Sequence, residues 1–117
     1  MKEAFIVIRP SRFFKTKEAL VAAGFNALYT KEVLGRGKQR VVYALNEGGG
    51  DAETVGIDFV AKRLLDIYVR DEDVDRLIEA VLSANSHGCP GDGKLFILPV
   101  ENAVRVRTGE QGEDVLV

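Results

Sequence analysis

Gly91-Asp92-Gly93-Lys94 is followed along the chain by Arg105-Val106-Arg107. Two glycines bracket an acid, a lysine comes next, and two arginines stand two residues apart. Glycines let backbone N–H groups turn toward an anion, while lysine and guanidinium groups add fixed positive charge. Brought together, these groups suit the phosphates of a nucleotide. Alone, the tetrapeptide also reads as a tight turn before a strand with an exposed lysine. It is not a Walker A loop, because the spacing is wrong and no Ser or Thr follows Lys94. On a strand, Arg105 and Arg107 share a face. They are either paired forks for a di- or triphosphate or charges that guard a sheet edge.

Gly35-Arg36-Gly37-Lys38-Gln39 follows a predicted strand. Its glycines allow close backbone approach to a ligand, and Gln39 offers a donor and an acceptor. The run lacks the third glycine and following helix of a dinucleotide fingerprint, so it equally suits the base of a flexible loop. Lys62 sits where that loop returns, either to meet a carboxylate or phosphate or as an exposed strand lysine. His87 is the only histidine and Cys89 the only cysteine. One of each makes neither a metal site nor a catalytic triad. The acids Asp71-Glu72-Asp73 are explained by a helix N-terminus, where the dipole favours negative charge.

The elements that must position these residues follow from the hydrophobic pattern. Ala4 to Ile8 is a short apolar run closed by Pro10, which predicts a buried strand. Ser11 is placed to cap a helix whose apolar residues include Phe14, Leu20 and Val21, with Gly24 as its left-handed stop. A strand over Leu28 to Leu34 follows. From there to about Asp58 the pattern fades around Gly48-Gly49-Gly50, which predicts a long mobile loop. Leu65, Ile67 and Val69 alternate as a strand does. Val74, Leu77, Ile78, Val81 and Leu82 make a helical stripe. Lys94 to Val100 and Val104 to Arg107 read as the last strands.

This order predicts an α+β, ferredoxin-like split βαβ sandwich as a single domain over 1–117, with both helices on one sheet face. Phe5, Val7, Leu65, Ile67, Phe96 and Leu98 make the sheet too apolar for its other face to stay wet, which predicts self-assembly. At 117 residues with 46% hydrophobic and 29% charged content, the composition is that of a globular domain. A net charge of -2 carries no nucleic-acid footprint. The lone cysteine excludes an internal disulfide and suits a reducing cytoplasm. No apolar run reaches the length of a membrane span.

Together these residues resemble the PII family of nitrogen-signalling proteins over nearly the whole chain. The resemblance is carried by Ile8-Arg9-Pro10, Gly35-Arg36-Gly37-Lys38-Gln39, the run from Gly91 to Val100, and Val104-Arg105-Val106-Arg107-Thr108-Gly109-Glu110. Leu34 to Gln39, with Arg9 in place of the commoner lysine, is similar to the nitrogenase-associated subgroup. The resemblance implies a homotrimer with nucleotide sites between subunits, where ATP and ADP compete. It sets Gly37, Lys38 and Gln39 on one side of the nucleotide and Gly91, Asp92, Gly93 and Lys94 on another. Arg105 and Arg107 would reach phosphates from the neighbouring subunit. Gln39 would help hold Mg2+ between ATP and 2-oxoglutarate, and Lys62 would meet a 2-oxoglutarate carboxylate. The loop from about Gly37 to Asp58 corresponds to the T-loop that touches the target.

His87 stands where the family has Ser or Thr, and Arg40-Val41 replaces the usual Lys-Gly after Gln39. Tyr43 sits in a different context from the family's uridylylated tyrosine, so that modification is not expected. The function implied is a non-enzymatic regulator that acts on nitrogenase, together with a paralogous PII-like subunit. Control of an ammonium transporter or another metabolic enzyme is the alternative. An enzyme using the phosphate site for hydrolysis or transfer is a third reading, opposed by the lack of a general base beside Lys94.

Overall fold

The computed structural model describes residues 1–36, 41–45, 52–56, 59–88 and 91–116. Strand β1 (Lys2–Ile8) is followed by helix α1 (Phe13–Ala22) and strand β2 (Tyr29–Gly35). Strands β3 (Val41–Leu45) and β4 (Ala52–Gly56) come next, then β5 (Val60–Val69), α2 (Val74–Asn85) and β6 (Gly93–Pro99). The four-stranded sheet runs β2-β5-β1-β6, and every neighbouring pair in it is antiparallel. That is the predicted α+β, ferredoxin-like arrangement.

Alternation along the strands separates two faces. Ala4, Ile6 and Ile8 of β1 lie beside Leu65 and Ile67 of β5 and pack with Leu20, Phe25, Leu77 and Val81. This face is the core, and both helices cover it. Leu65 and Ile67 therefore belong to the covered side, apart from the other apolar residues cited for the open side. That open side carries Phe5, Val7, Leu64, Phe96 and Leu98, with Phe96 49% and Leu98 40% exposed. Phe5 and Phe96 meet edge to face at 6.2 Å.

Helix α1 departs from its expected start. Ser11 lies inside a 3₁₀ turn, Pro10–Arg12, and the residue before the helix makes no side-chain cap. Of its expected apolar residues only Leu20 is buried, while Phe14 and Val21 face outward. Lys17 lies over the Phe14 ring. The stop is as expected. Gly24 has φ +95, its N–H donates to the Val21 carbonyl, and the Phe25 N–H donates to the Leu20 carbonyl. This is a Schellman closure, and it turns Phe25 into the core. Between the helices, the Asn85 amide donates to the Thr16 hydroxyl at 2.9 Å, and both residues are buried.

Two expectations are corrected. The stretch read as a patternless loop contains an antiparallel ladder, Val41 opposite Gly56 through Leu45 opposite Ala52. The expected strand Val104–Arg107 is a single bridge, Val104 to Gln111, followed by a turn. Arg105 and Arg107 consequently do not share a strand face. The Arg105 N–H and carbonyl instead close the turn, bonding Glu110 and Gly109 at 2.8 and 2.7 Å.

Candidate functional site

Three strand ends converge at one edge of the open face. Strand β1 ends at Ile8, and Arg9 before Pro10 keeps an extended backbone, as a residue preceding proline prefers. Strand β6 begins at Gly93, opposite Ile8. In β5, Lys62 pairs with Val33 of β2. The Arg9 Nε donates to the Gly91 carbonyl at 3.1 Å, and the Lys62 Nζ donates to that same oxygen at 3.1 Å. Asp92 Oδ1 lies 3.8 Å from Arg9 Nε. Its other oxygen accepts the His87 N–H at 2.8 Å, which ties the turn to the end of the α2 connection.

Gly93 is required by this geometry. Its φ is +122, and a Cβ there would overlap the Val7 carbonyl oxygen. Glycine alone lets β6 start flush against β1. Gly35 is under no such constraint, since a Cβ on it would come within 3.4 Å of the Lys62 side chain, which is ordinary contact. Gly35 also pairs with Val60 across β2 and β5. The segment carrying β3 and β4 thus leaves and returns at one rung of the sheet, two residues from Lys62.

Two cations sharing one carbonyl acceptor make a site of uneven charge. The Lys62 ammonium is held below its usual pKa, first by burial and then by the Arg9 guanidinium, while Asp92 partly offsets both. An anion placed here would meet N–H donors of two positive groups and relieve their repulsion. The donor set therefore fits a carboxylate or phosphate. Lys94 pairs with Val7 on the same open face and is exposed.

The structure thus brings Gly35, Lys62, Gly91, Asp92 and Gly93 together. Gly37, Lys38 and Gln39, the last with its Mg2+ assignment, lie outside the described residues, as does Cys89. Among the described residues, no group of three His, Cys, Asp or Glu could hold a metal ion. Arg105 bonds to its own C-terminal segment, through Glu110 Oε2 at 3.1 Å and the Asp114 carbonyl at 3.3 Å. Arg107 is exposed on the turn. The residue that sequence reasoning missed as a site member is Arg9, which meets Gly91 across 82 positions of chain. The available signal was a cation fixed at a strand end by the following proline.

Among the described residues, no helix is long and apolar enough to cross a membrane. Residues 1–110 match the family described as nitrogen regulatory protein P-II. The chain is 38% identical over 122 residues to the "Nitrogen fixation nifHD region GlnB-like protein 2" of Methanobacterium ivanovii, covering 100% of both. It is 40% identical over 116 residues to the "Nitrogen regulatory protein P-II" of Cereibacter sphaeroides, covering 99% of this chain and 100% of that protein. In three dimensions it resembles Bacillus subtilis GlnK, with a TM-score of 0.78 and 30% identity, covering 98% of this chain and 97% of that one. The sequence match spans the turns and strand ends that build the site, and the chain belongs to the nitrogen regulatory protein P-II family.

Proposed function

We propose that this chain is a single-domain, non-enzymatic sensor of ATP, ADP and 2-oxoglutarate that works as a cytoplasmic homotrimer. The observation that carries the reading is the pairing of Arg9 and Lys62 on one carbonyl oxygen at 3.1 Å each, at the base of the β3–β4 arm. An anion bound there draws on donors now held by Gly91 and lies where the arm joins the sheet. Lys62 meets a 2-oxoglutarate carboxylate in this reading, and Arg9 is its second cation. Gly91, Asp92, Gly93 and Lys94 line the phosphates together with Gly35, Gly37 and Lys38. Arg105 and Arg107 reach them from a neighbouring copy across the open face. Gln39 helps hold Mg2+, which screens the phosphate charge and bridges the two ligands.

The arm, including β3 and β4, contacts the target. Relatives named for the nifHD region support nitrogenase as that target, with a paralogous subunit as co-partner. An ammonium transporter or another nitrogen-metabolism enzyme is the second reading, supported by the relatives named only as regulatory proteins P-II. Calorimetric titration with Mg-ATP tests the nucleotide site, and saturable binding at sub-millimolar ligand is expected. No heat of binding in that range contradicts the whole reading. Light scattering on the same sample should give a trimer mass, and a monomer mass would remove the intersubunit site.

A further inference from the structure

The C-terminal segment folds back onto Arg105. The Arg105 N–H donates to the Glu110 carbonyl at 2.8 Å, the Gly112 N–H donates to the Ala103 carbonyl at 3.0 Å, and Val104 bridges to Gln111. Asn102 Nδ2 adds a bond to Gln111 Oε1 at 3.0 Å. Within this closed turn, Arg105 Nη1 donates to Glu110 Oε2 at 3.1 Å and Nη2 donates to the Asp114 carbonyl at 3.3 Å. Both outer nitrogens of the guanidinium are therefore engaged by acceptors of the same protomer. Carboxylate and phosphate oxygens use the same N–H donors, and a charged partner on each side makes the two contacts alternatives.

We infer that Glu110 and the Asp114 carbonyl form an autoinhibitory latch, which holds Arg105 on its own protomer until a polyphosphate takes it. The inference rests on reading Arg105 as a phosphate ligand. The Arg105 side chain is 29% exposed and that of Glu110 48% exposed, so their ion pair is a surface pair. Surface pairs are weak, and a multiply charged phosphate can replace one without unfolding the turn. The backbone bonds at Gly109 and Gly112 do not involve the Glu110 carboxylate, so the turn persists when the latch opens. The latch raises the ligand concentration at which Arg105 is recruited, by the same factor for any phosphate ligand that takes it.

Glu110→Gln keeps the side chain's shape and its acceptor oxygen while removing the charge. Equilibrium binding of ATP is measured for the unaltered protein, Glu110→Gln, Arg105→Ala and the double variant. Glu110→Gln should tighten ATP binding about two- to fivefold, the range a surface ion pair supports. In the Arg105→Ala background the same change should have no effect, because the latch has nothing to hold. Unchanged or weaker binding by Glu110→Gln overturns the latch and makes Glu110 a spectator or a positioning residue for Arg105. An equal gain in both backgrounds also overturns it, since the effect would then be general repulsion of an anion. If the unaltered protein binds no ATP, the nucleotide reading and the latch fall together. ATP binding that responds to Arg105→Ala but not to Glu110→Gln removes the latch alone.

Discussion

Asp66 stands on the open sheet face, opposite Phe5 of β1 and Tyr29 of β2. The Tyr68 hydroxyl lies 3.4 Å from Glu3 Oε2 and 3.5 Å from Asp66 Oδ2. One hydroxyl proton serves one carboxylate at a time. Burial first, then a hydrogen bond and repulsion from Glu3, push the Asp66 carboxyl up to about 6, with Tyr68 opposing. A folded-state pKa above the unfolded value means that the folded protein binds more protons between the two values. The stabilisation is complete below the ordinary Asp range and is lost as pH rises through about 6. Thermal unfolding at fixed protein concentration should show lower stability at pH about 7.5 than at pH about 5.5. Asp66→Asn should flatten that difference and raise stability at the higher pH. An identical pH profile for both proteins would contradict this assignment.

At the scale of elements, the β1–β6 junction is the most constrained part of the site. Gly93→Ala must be accommodated at φ +122 and against the Val7 carbonyl. The expected loss is about 1–3 kcal/mol of stability, together with displacement of the Gly91–Lys94 turn. An unchanged melting temperature would show that β6 can start elsewhere on β1. The strands were legible in the sequence where one face is buried: Ala4 to Ile8 as a continuous run, and Leu65, Ile67 and Val69 by alternation. Val104-Arg105-Val106-Arg107 alternates too, yet Val106 is 96% exposed and no sheet strand lies there. Alternation reports a period, and a turn with one bridge can carry it by chance. The β3–β4 ladder has half a signal: Val41-Val42-Tyr43-Ala44-Leu45 is an apolar run like Ala4 to Ile8, but its partner Ala52-Glu53-Thr54-Val55-Gly56 has little apolar pattern and glycines stand between them. Ser11 was misplaced because a 3₁₀ turn takes up the chain before α1. Lys62 and Gly91 could be nominated from residue type, but their meeting with Arg9 depends on strand order, which local spacing does not encode.

At the scale of the molecule, the principal dimensions are 62 × 28 × 21 Å. Strands β3 and β4 pair with each other and not with the four-stranded sheet. A two-stranded ladder is marginal by itself, and in the proposed reading a ligand at its base biases its state. A ligand shifts that state only by binding one arrangement more tightly than another. The proposed function gives this role to Lys62, which lies beside the rung where Gly35 meets Val60 and shares an acceptor with Arg9. The open face leaves Phe96 and Leu98 partly exposed, and it is the surface that the proposed trimer would bury. The most direct test of this account is calorimetric titration of 2-oxoglutarate into the Mg-ATP-loaded protein and into Lys62→Gln. Losing a charged hydrogen bond should weaken 2-oxoglutarate binding at least about tenfold in the variant, against saturable binding in the unaltered protein. Equal affinity in the two proteins, or no response to 2-oxoglutarate in a protein that binds Mg-ATP, would contradict it.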